Sequence, residues 1–208
     1  MDHFRLIDSL VRICSFYCVT VTDSLFINSN IILISQLQLV ALVGEPGITE
    51  SPIIISNRGV TPLYFDDKGK ELIPNLHNTS DIDGGIFADT WSASLMKAIG
   101  TNNLLTDQLS GTSTTTEFPN NHLGYSLNTV ARLIKTREVR GVDVDTFYIE
   151  TGGFDTHADV EENLNRLFSE MNEALGAFTS EMKALDVWDD VTLIQTSDFA
   201  RTLNPNGK

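Results

Sequence analysis

The chain is short of cysteine: its 208 residues hold two, Cys14 and Cys18, four apart in one apolar run. Two cysteines so placed exclude a disulfide framework. Basic residues are also scarce, with 14 Lys and Arg against 28 Asp and Glu and a formal net charge of -14. A surface of that sign repels phosphate backbones and anionic membranes, so nucleic acid is not an expected partner. A clean membrane-length apolar run is missing too. Residues 24–44 carry no charge but include Asn28, Asn30, Gln36 and Gln38. Buried amides are costly in hydrocarbon, so a buried strand at residues 37–43 is expected there in place of a membrane span. The apolar run at residues 13–21 is broken by Asp23 and has no small-x-small cleavage site, which makes it a poor export signal. Histidine is rare as well, with four in the chain, so each one inside a motif carries weight.

What is present suffices for a core: 41% of the residues are apolar and 8% aromatic. Residues 1–36 stay unassigned, signal-like or strand-forming, and residues 37–208 read as one α/β domain. A hairpin-like β entry is expected around residues 52–65, with a turn at Asn57, Arg58 and Gly59, followed by a polar turn at residues 66–70. Phe87, Trp91, Leu95 and Ile99 recur every fourth residue and predict a helix with one apolar face, stopped by Gly100. The Thr-rich residues 110–117 read as a solvated loop. Leu123, Leu127, Val130, Ala131 and Ile134 then predict a second helix, and residues 136–145 a charged loop. Residues 146–150 read as a buried strand, residues 160–185 as a long helix with Met171, Phe178 and Met182 in its core stripe, and residues 191–196 as another strand. Strand, helix, strand is a βαβ unit, which implies parallel pairing.

Polar motifs follow both strands of that unit: Gly152-Gly153-Phe154-Asp155-Thr156-His157 after the first, Ser197-Asp198-Phe199-Ala200-Arg201-Thr202 after the second. If the strands are adjacent, Asp155, His157, Asp198 and Arg201 meet at one sheet edge, where open α/β sheets bind ligands. Two acids and an imidazole suit a divalent metal, with zinc, manganese, magnesium and iron all open, and an arginine suits an oxyanion. A plainer reading stands beside this one. Asp155 or Thr156 would cap the helix with His157 merely packed, and Asp198 would pair locally with Arg201.

These two motifs, together with Trp188-Asp189-Asp190-Val191, resemble the family of unknown function called DUF1501, with weaker similarity reaching back through Thr90-Trp91-Ser92 toward the turn near Glu45. That family is placed near the alkaline phosphatase and sulfatase superfamily. The resemblance implies a three-layer αβα sandwich with a mostly parallel sheet, and metals at the C-terminal edge of the strands. It makes Asp155, His157 and Asp198 metal ligands, gives Arg201 to an anionic substrate, and has Gly152 and Gly153 let the backbone approach the ion. Members continue past the Asn-rich turn into an Asp-His pair that this sequence does not reach by Lys208, so an incomplete member is expected.

The function these features imply is metal-dependent hydrolysis of phosphate or sulfate esters, on an anionic small molecule or glycan ester. No nucleophile is assigned. The alternative is a non-catalytic scaffold that binds an ion or anion without turnover. By family analogy the expected location is outside the cytoplasm.

Overall fold

A computed structural model of the chain describes residues 15–22, 29–34, 53–76, 85–141, 144–156 and 158–197. The expected strand at residues 37–43 lies outside them. The described chain is mixed α/β and divides into two compact units, one of residues 1–59 and 113–208 and one of residues 60–112.

The first unit holds a five-stranded sheet. Its strands are β1 (Ser15–Thr22), β2 (Ser29–Ile34), β3 (Ile53–Ile54), β4 (Val144–Thr151) and β5 (Val191–Ser197), in the order β3-β2-β4-β1-β5. β2 pairs in parallel with β3 and β4, whereas β1 pairs antiparallel with both β4 and β5. The expectation that β4 and β5 pair with each other is therefore corrected, while four of the five strands run the same way and β1 alone opposes them. The sequence of β1, SFYCVTVT, is rich in the aromatic and β-branched residues that favour strands. It occupies the place between β4 and β5, so those two strands run the same way without touching. After β3, Ser56 and Gly59 exchange backbone hydrogen bonds of 3.2 and 3.0 Å around the expected Asn57-Arg58 turn.

Three helices complete this unit: α3 (His122–Lys135), the short α4 (Arg137–Arg140) and α5 (Val160–Ala184). The periodicity of α3 and α5 decides which faces go inside. Leu127, Val130, Ala131, Leu133 and Ile134 of α3 are fully buried, as are Phe147 and Ile149 of β4 and Ala174, Phe178 and Met182 of α5. α3 packs against both β4 and α5. Each fully buried large side chain contributes about 1.5–3 kcal/mol to stability. Met171, Phe178 and Met182 are core residues, as their spacing predicts. Trp188 is half-buried in a 3₁₀ turn, with Lys183 Nζ 6.0 Å from its ring centroid.

The charged stretch between α3 and β4 is more ordered than its composition suggests. Arg140 and Asp145 form a buried ion pair, with Arg140 Nη1 3.0 Å from Asp145 Oδ1, and Arg140 Nη2 also donates to the Leu133 carbonyl at 2.8 Å. Buried charge is costly unless paired and hydrogen-bonded, and here both conditions are met. The pair ties the end of α3 to the start of β4 across α4, which stops at Gly141 with φ of 63°.

The second unit consists of α1 (Asp67–Leu76) and α2 (Gly85–Ser110). Residues 66–70 read as a turn because Asp, Lys and Gly are turn formers, but Asp66 Oδ1 accepts from Gly69 N at 2.7 Å and thereby caps α1. α2 runs straight through Gly100. A glycine inside a helix costs about 1 kcal/mol, too little to stop one that continues into the apolar Leu104, Leu105 and Leu109. Leu105 and Leu109 are buried, whereas Phe87 and Trp91 of the expected apolar face are 91% and 61% exposed. No helix among the described residues is long and apolar enough to cross a membrane.

Candidate functional site

The candidate motif begins where β4 ends. Along this strand Phe147, Tyr148 and Ile149 are buried, and Thr151 is the last residue before exposed Gly152 and Gly153. Gly153 has φ of 95°, a conformation that side chains rarely adopt, and it lies over α5 with Leu167 Cδ2 3.6 Å from where a Cβ would sit. The chain then folds tightly, Thr156 N donating to the Phe154 carbonyl at 3.0 Å. Phe154 turns inward against Phe168, ring centroids 6.0 Å apart, while Asp155 faces solvent. α5 takes Asp159 as its N-cap residue, at φ 49° and ψ 43°, without a side-chain capping bond. The plainer reading, in which Asp155 or Thr156 caps this helix, is therefore not what the helix entry shows.

The second motif follows β5. Ser15 at the start of β1 is paired with Thr151 on one side and with Ser197 on the other, so the last residues of β4 and β5 stand level at one edge. With neighbouring strands about 4.8 Å apart, the two ends are separated by roughly 10 Å. Of the residues the sequence nominates, the structure places Gly152, Gly153 and Asp155. His157, Asp198 and Arg201 lie outside the described residues. Among the described residues no three His, Cys, Asp or Glu side chains cluster closely enough to hold a metal ion.

A small cavity of about 80 Å³ opens beside the first motif, between Gly152 and Phe154 of the loop, His122 and Leu123 of α3, and Leu167 and Glu170 of α5. His122 belongs to neither polar motif, and the sequence assigns no role to it or to His77. Its signal was available, since it follows Asn121 and opens the apolar periodicity of α3. Asn121 Oδ1 accepts from Gly124 N at 2.7 Å, which caps the helix, and Asn121 Nδ2 reaches the Glu170 carbonyl at 3.4 Å. One asparagine thus starts α3 and fastens it to α5 at the rim of the cavity.

The loop entering α3 is held from below. Glu181 of α5 has no solvent exposure, and its carboxylate accepts from Thr115 N at 3.0 Å, Thr115 Oγ1 at 2.8 Å and Thr116 N at 2.7 Å. Burial pushes this carboxyl up, but the hydrogen bonds from Thr115 and Thr116 outweigh it and leave the group below the ordinary glutamate range. The Thr-rich loop, expected to be merely solvated, is therefore a cradle for a buried anion. Asn128 Nδ2 donates to Thr114 Oγ1 at 2.9 Å and Lys135 Nζ to the Ser113 carbonyl at 2.9 Å, which ties the same loop to α3.

Residues 91–208 match the model of a family described as "Protein of unknown function (DUF1501)". The chain belongs to this family. In the DUF1501 chain the matched region starts at Trp91, later than the turn near Glu45, and takes in the later part of α2, all of α3, α4 and α5, and both motif-bearing strands. No match to the chain was found among curated proteins or among solved structures.

Proposed function

We propose that the DUF1501 chain carries a metal-dependent hydrolase site for phosphate or sulfate esters, on an alkaline-phosphatase-like αβα sandwich. One observation supports this above others. β4 and β5 run in the same direction and end level on either side of Ser15, so their carboxyl ends share one edge of the sheet. Edges of this kind, beyond the carboxyl ends of strands, are where open α/β sheets gather ligands.

Asp155, His157 and Asp198 would hold the ion, since two carboxylates and an imidazole fit a hard or borderline divalent cation. The described part of this set suits the role: Asp155 is exposed on an irregular loop, after Gly152, whose Cβ position has nothing within 4 Å of it. When bound, such an ion polarises an ester oxygen and eases ionisation of the attacking group. Arg201 would hold the ester anion through charge-assisted hydrogen bonds, fixing it against the loop.

The test is metal analysis of dialysed protein, joined to turnover of 4-nitrophenyl phosphate and 4-nitrophenyl sulfate. The wild type is expected to retain a divalent metal and to lose turnover with chelator. Asp155→Ala is expected to bind the metal at least about tenfold more weakly. Protein without metal, or Asp155→Ala with unchanged metal content, refutes the reading. Metal retained without turnover of either ester favours the non-catalytic scaffold.

A further inference from the structure

The cavity beside the loop after β4 is held in shape by three separate contacts. Asn121 bonds the Glu170 carbonyl at 3.4 Å and caps α3 at 2.7 Å, which fixes α3 against α5. Phe154 leans on Phe168 with ring centroids 6.0 Å apart, and Gly153, at φ of 95°, brings the loop backbone down to Leu167. A cavity set by the fold in this way binds without first having to be ordered.

Its walls are mostly carbon. Leu123, Leu167 and Met171 are buried, and Phe154 adds a half-buried ring. The polar groups are largely taken, since both side-chain polar atoms of Asn121 are bonded and the Glu170 carboxylate accepts from Arg166 Nη1 at 2.6 Å. His122 is the exception: it is exposed, and its ring enters no hydrogen bond or ion pair among the described residues. An apolar hole with one spare imidazole at its mouth suits a short carbon chain that ends in a neutral oxygen. A carboxylate inside would face Glu170, and an ammonium would find that carboxylate already paired.

The size narrows the choice further. A volume of about 80 Å³ is roughly two to three times what a water occupies in the liquid, and about half that of a cavity known to hold benzene. A chain of about three heavy atoms therefore fits, and an aromatic ring does not enter whole. We propose that this cavity receives the alcohol part of the ester, a straight aliphatic group of about three carbons, with the ester oxygen at the mouth accepting from the His122 ring. The choice of an ester rests on the hydrolase reading, because Gly152 and Phe154 of the cavity wall belong to the same loop as Asp155.

The experiment follows the methionine methyl groups by carbon-13 NMR in the full chain, treated with chelator and titrated with methanol, ethanol, 1-propanol and 1-pentanol. Met171 lines the cavity, whereas Met96 lies in the other unit and Met182 in the core. The Met171 signal, identified by its loss in Met171→Leu, is expected to shift while those of Met96 and Met182 stay. Affinity should rise about fourfold per methylene up to three carbons and then level off. His122→Ala is expected to weaken 1-propanol about two- to tenfold, and His122→Gln, which keeps a donor and an acceptor, to restore most of the loss. In metal-loaded protein kcat/KM for propyl phosphate should exceed that for methyl phosphate on the order of tenfold, from two buried methylenes. An unmoved Met171 signal, affinity that climbs steadily past three carbons, or His122→Ala binding as tightly as the wild type overturns the proposal. Equal kcat/KM on the two esters does so as well. If 1-propanol shifts Met171 in a protein that holds no metal and turns over neither ester, the hydrolase reading fails while the pocket for a short alcohol stands.

Discussion

Glu181 decides how the loop before α3 is held, and it does so as an ionised group with no exposure. Glutamine in its place removes the charge and turns an amide N–H₂ toward backbone N–H donors, so Glu181→Gln is expected to cost about 1–3 kcal/mol by urea denaturation at neutral pH. The folded carboxyl titrates below its ordinary value of 4.5. Its contribution is therefore complete above the unfolded pKa and is lost as the pH falls through the lower, folded one. The gap between wild type and variant should narrow as the pH drops below the ordinary glutamate value. A gap that stays constant down to strongly acid pH would mean that the hydrogen bonds do not hold the charged form. Nothing local in the sequence announces this arrangement. Glu181 sits beside Met182 on the buried side of α5, and its partners lie 65 and 66 residues away.

At the scale of elements, the entry to α3 turns on Gly124. The chain doubles back there, with Asn121 N bonded to the Pro119 carbonyl at 2.9 Å. A Cβ on Gly124 would lie 2.1 Å from that same oxygen. Alanine favours helix by about 1 kcal/mol, but an overlap with a fixed backbone atom costs more, so Gly124→Ala is expected to lose about 1–3 kcal/mol net. Gly176 on α5 is the contrast, since nothing lies within 4 Å of its Cβ position and Gly176→Ala should stabilise by up to about 1 kcal/mol. Melting temperatures of the two variants must move in opposite directions. Helices α3 and α5 and strands β4 and β5 were legible because their apolar periods are local, and their observed bounds differ from the expected ones by a few residues at most. The place of β1 was not, since insertion between β4 and β5 depends on pairing across more than a hundred residues of chain. Nor was the Arg140–Asp145 pair, because a charged stretch reads as solvated until its partners are known. At the candidate site, the turn after β4 was legible from Gly152 and Gly153, whereas His122 joins the cavity only through the packing of α3 on α5.

The molecule as a whole divides its burial unevenly. Among the described residues of 60–112 the buried apolar side chains are Leu105 and Leu109, while Tyr64, Leu72, Ile86, Phe87, Trp91 and Leu104 are exposed. The other unit encloses Phe147, Ile149, Phe178, Met182 and most of the apolar face of α3. Stability follows buried apolar area, so the smaller unit is expected to unfold first and with the shallower dependence on denaturant. The two tryptophans report on the units separately, Trp91 belonging to residues 60–112 and Trp188 to the other. With Trp188→Phe the fluorescence follows only the smaller unit, and with Trp91→Phe only the larger. Trp91 is 61% exposed, so replacing it removes little packing and leaves the larger unit's transition a fair measure of that unit. In urea, the Trp91 signal should change at lower concentration and with a smaller slope than the Trp188 signal. Coincident midpoints with equal slopes would show that the two units unfold as one cooperative body, and the uneven burial would then have no consequence for how the chain comes apart.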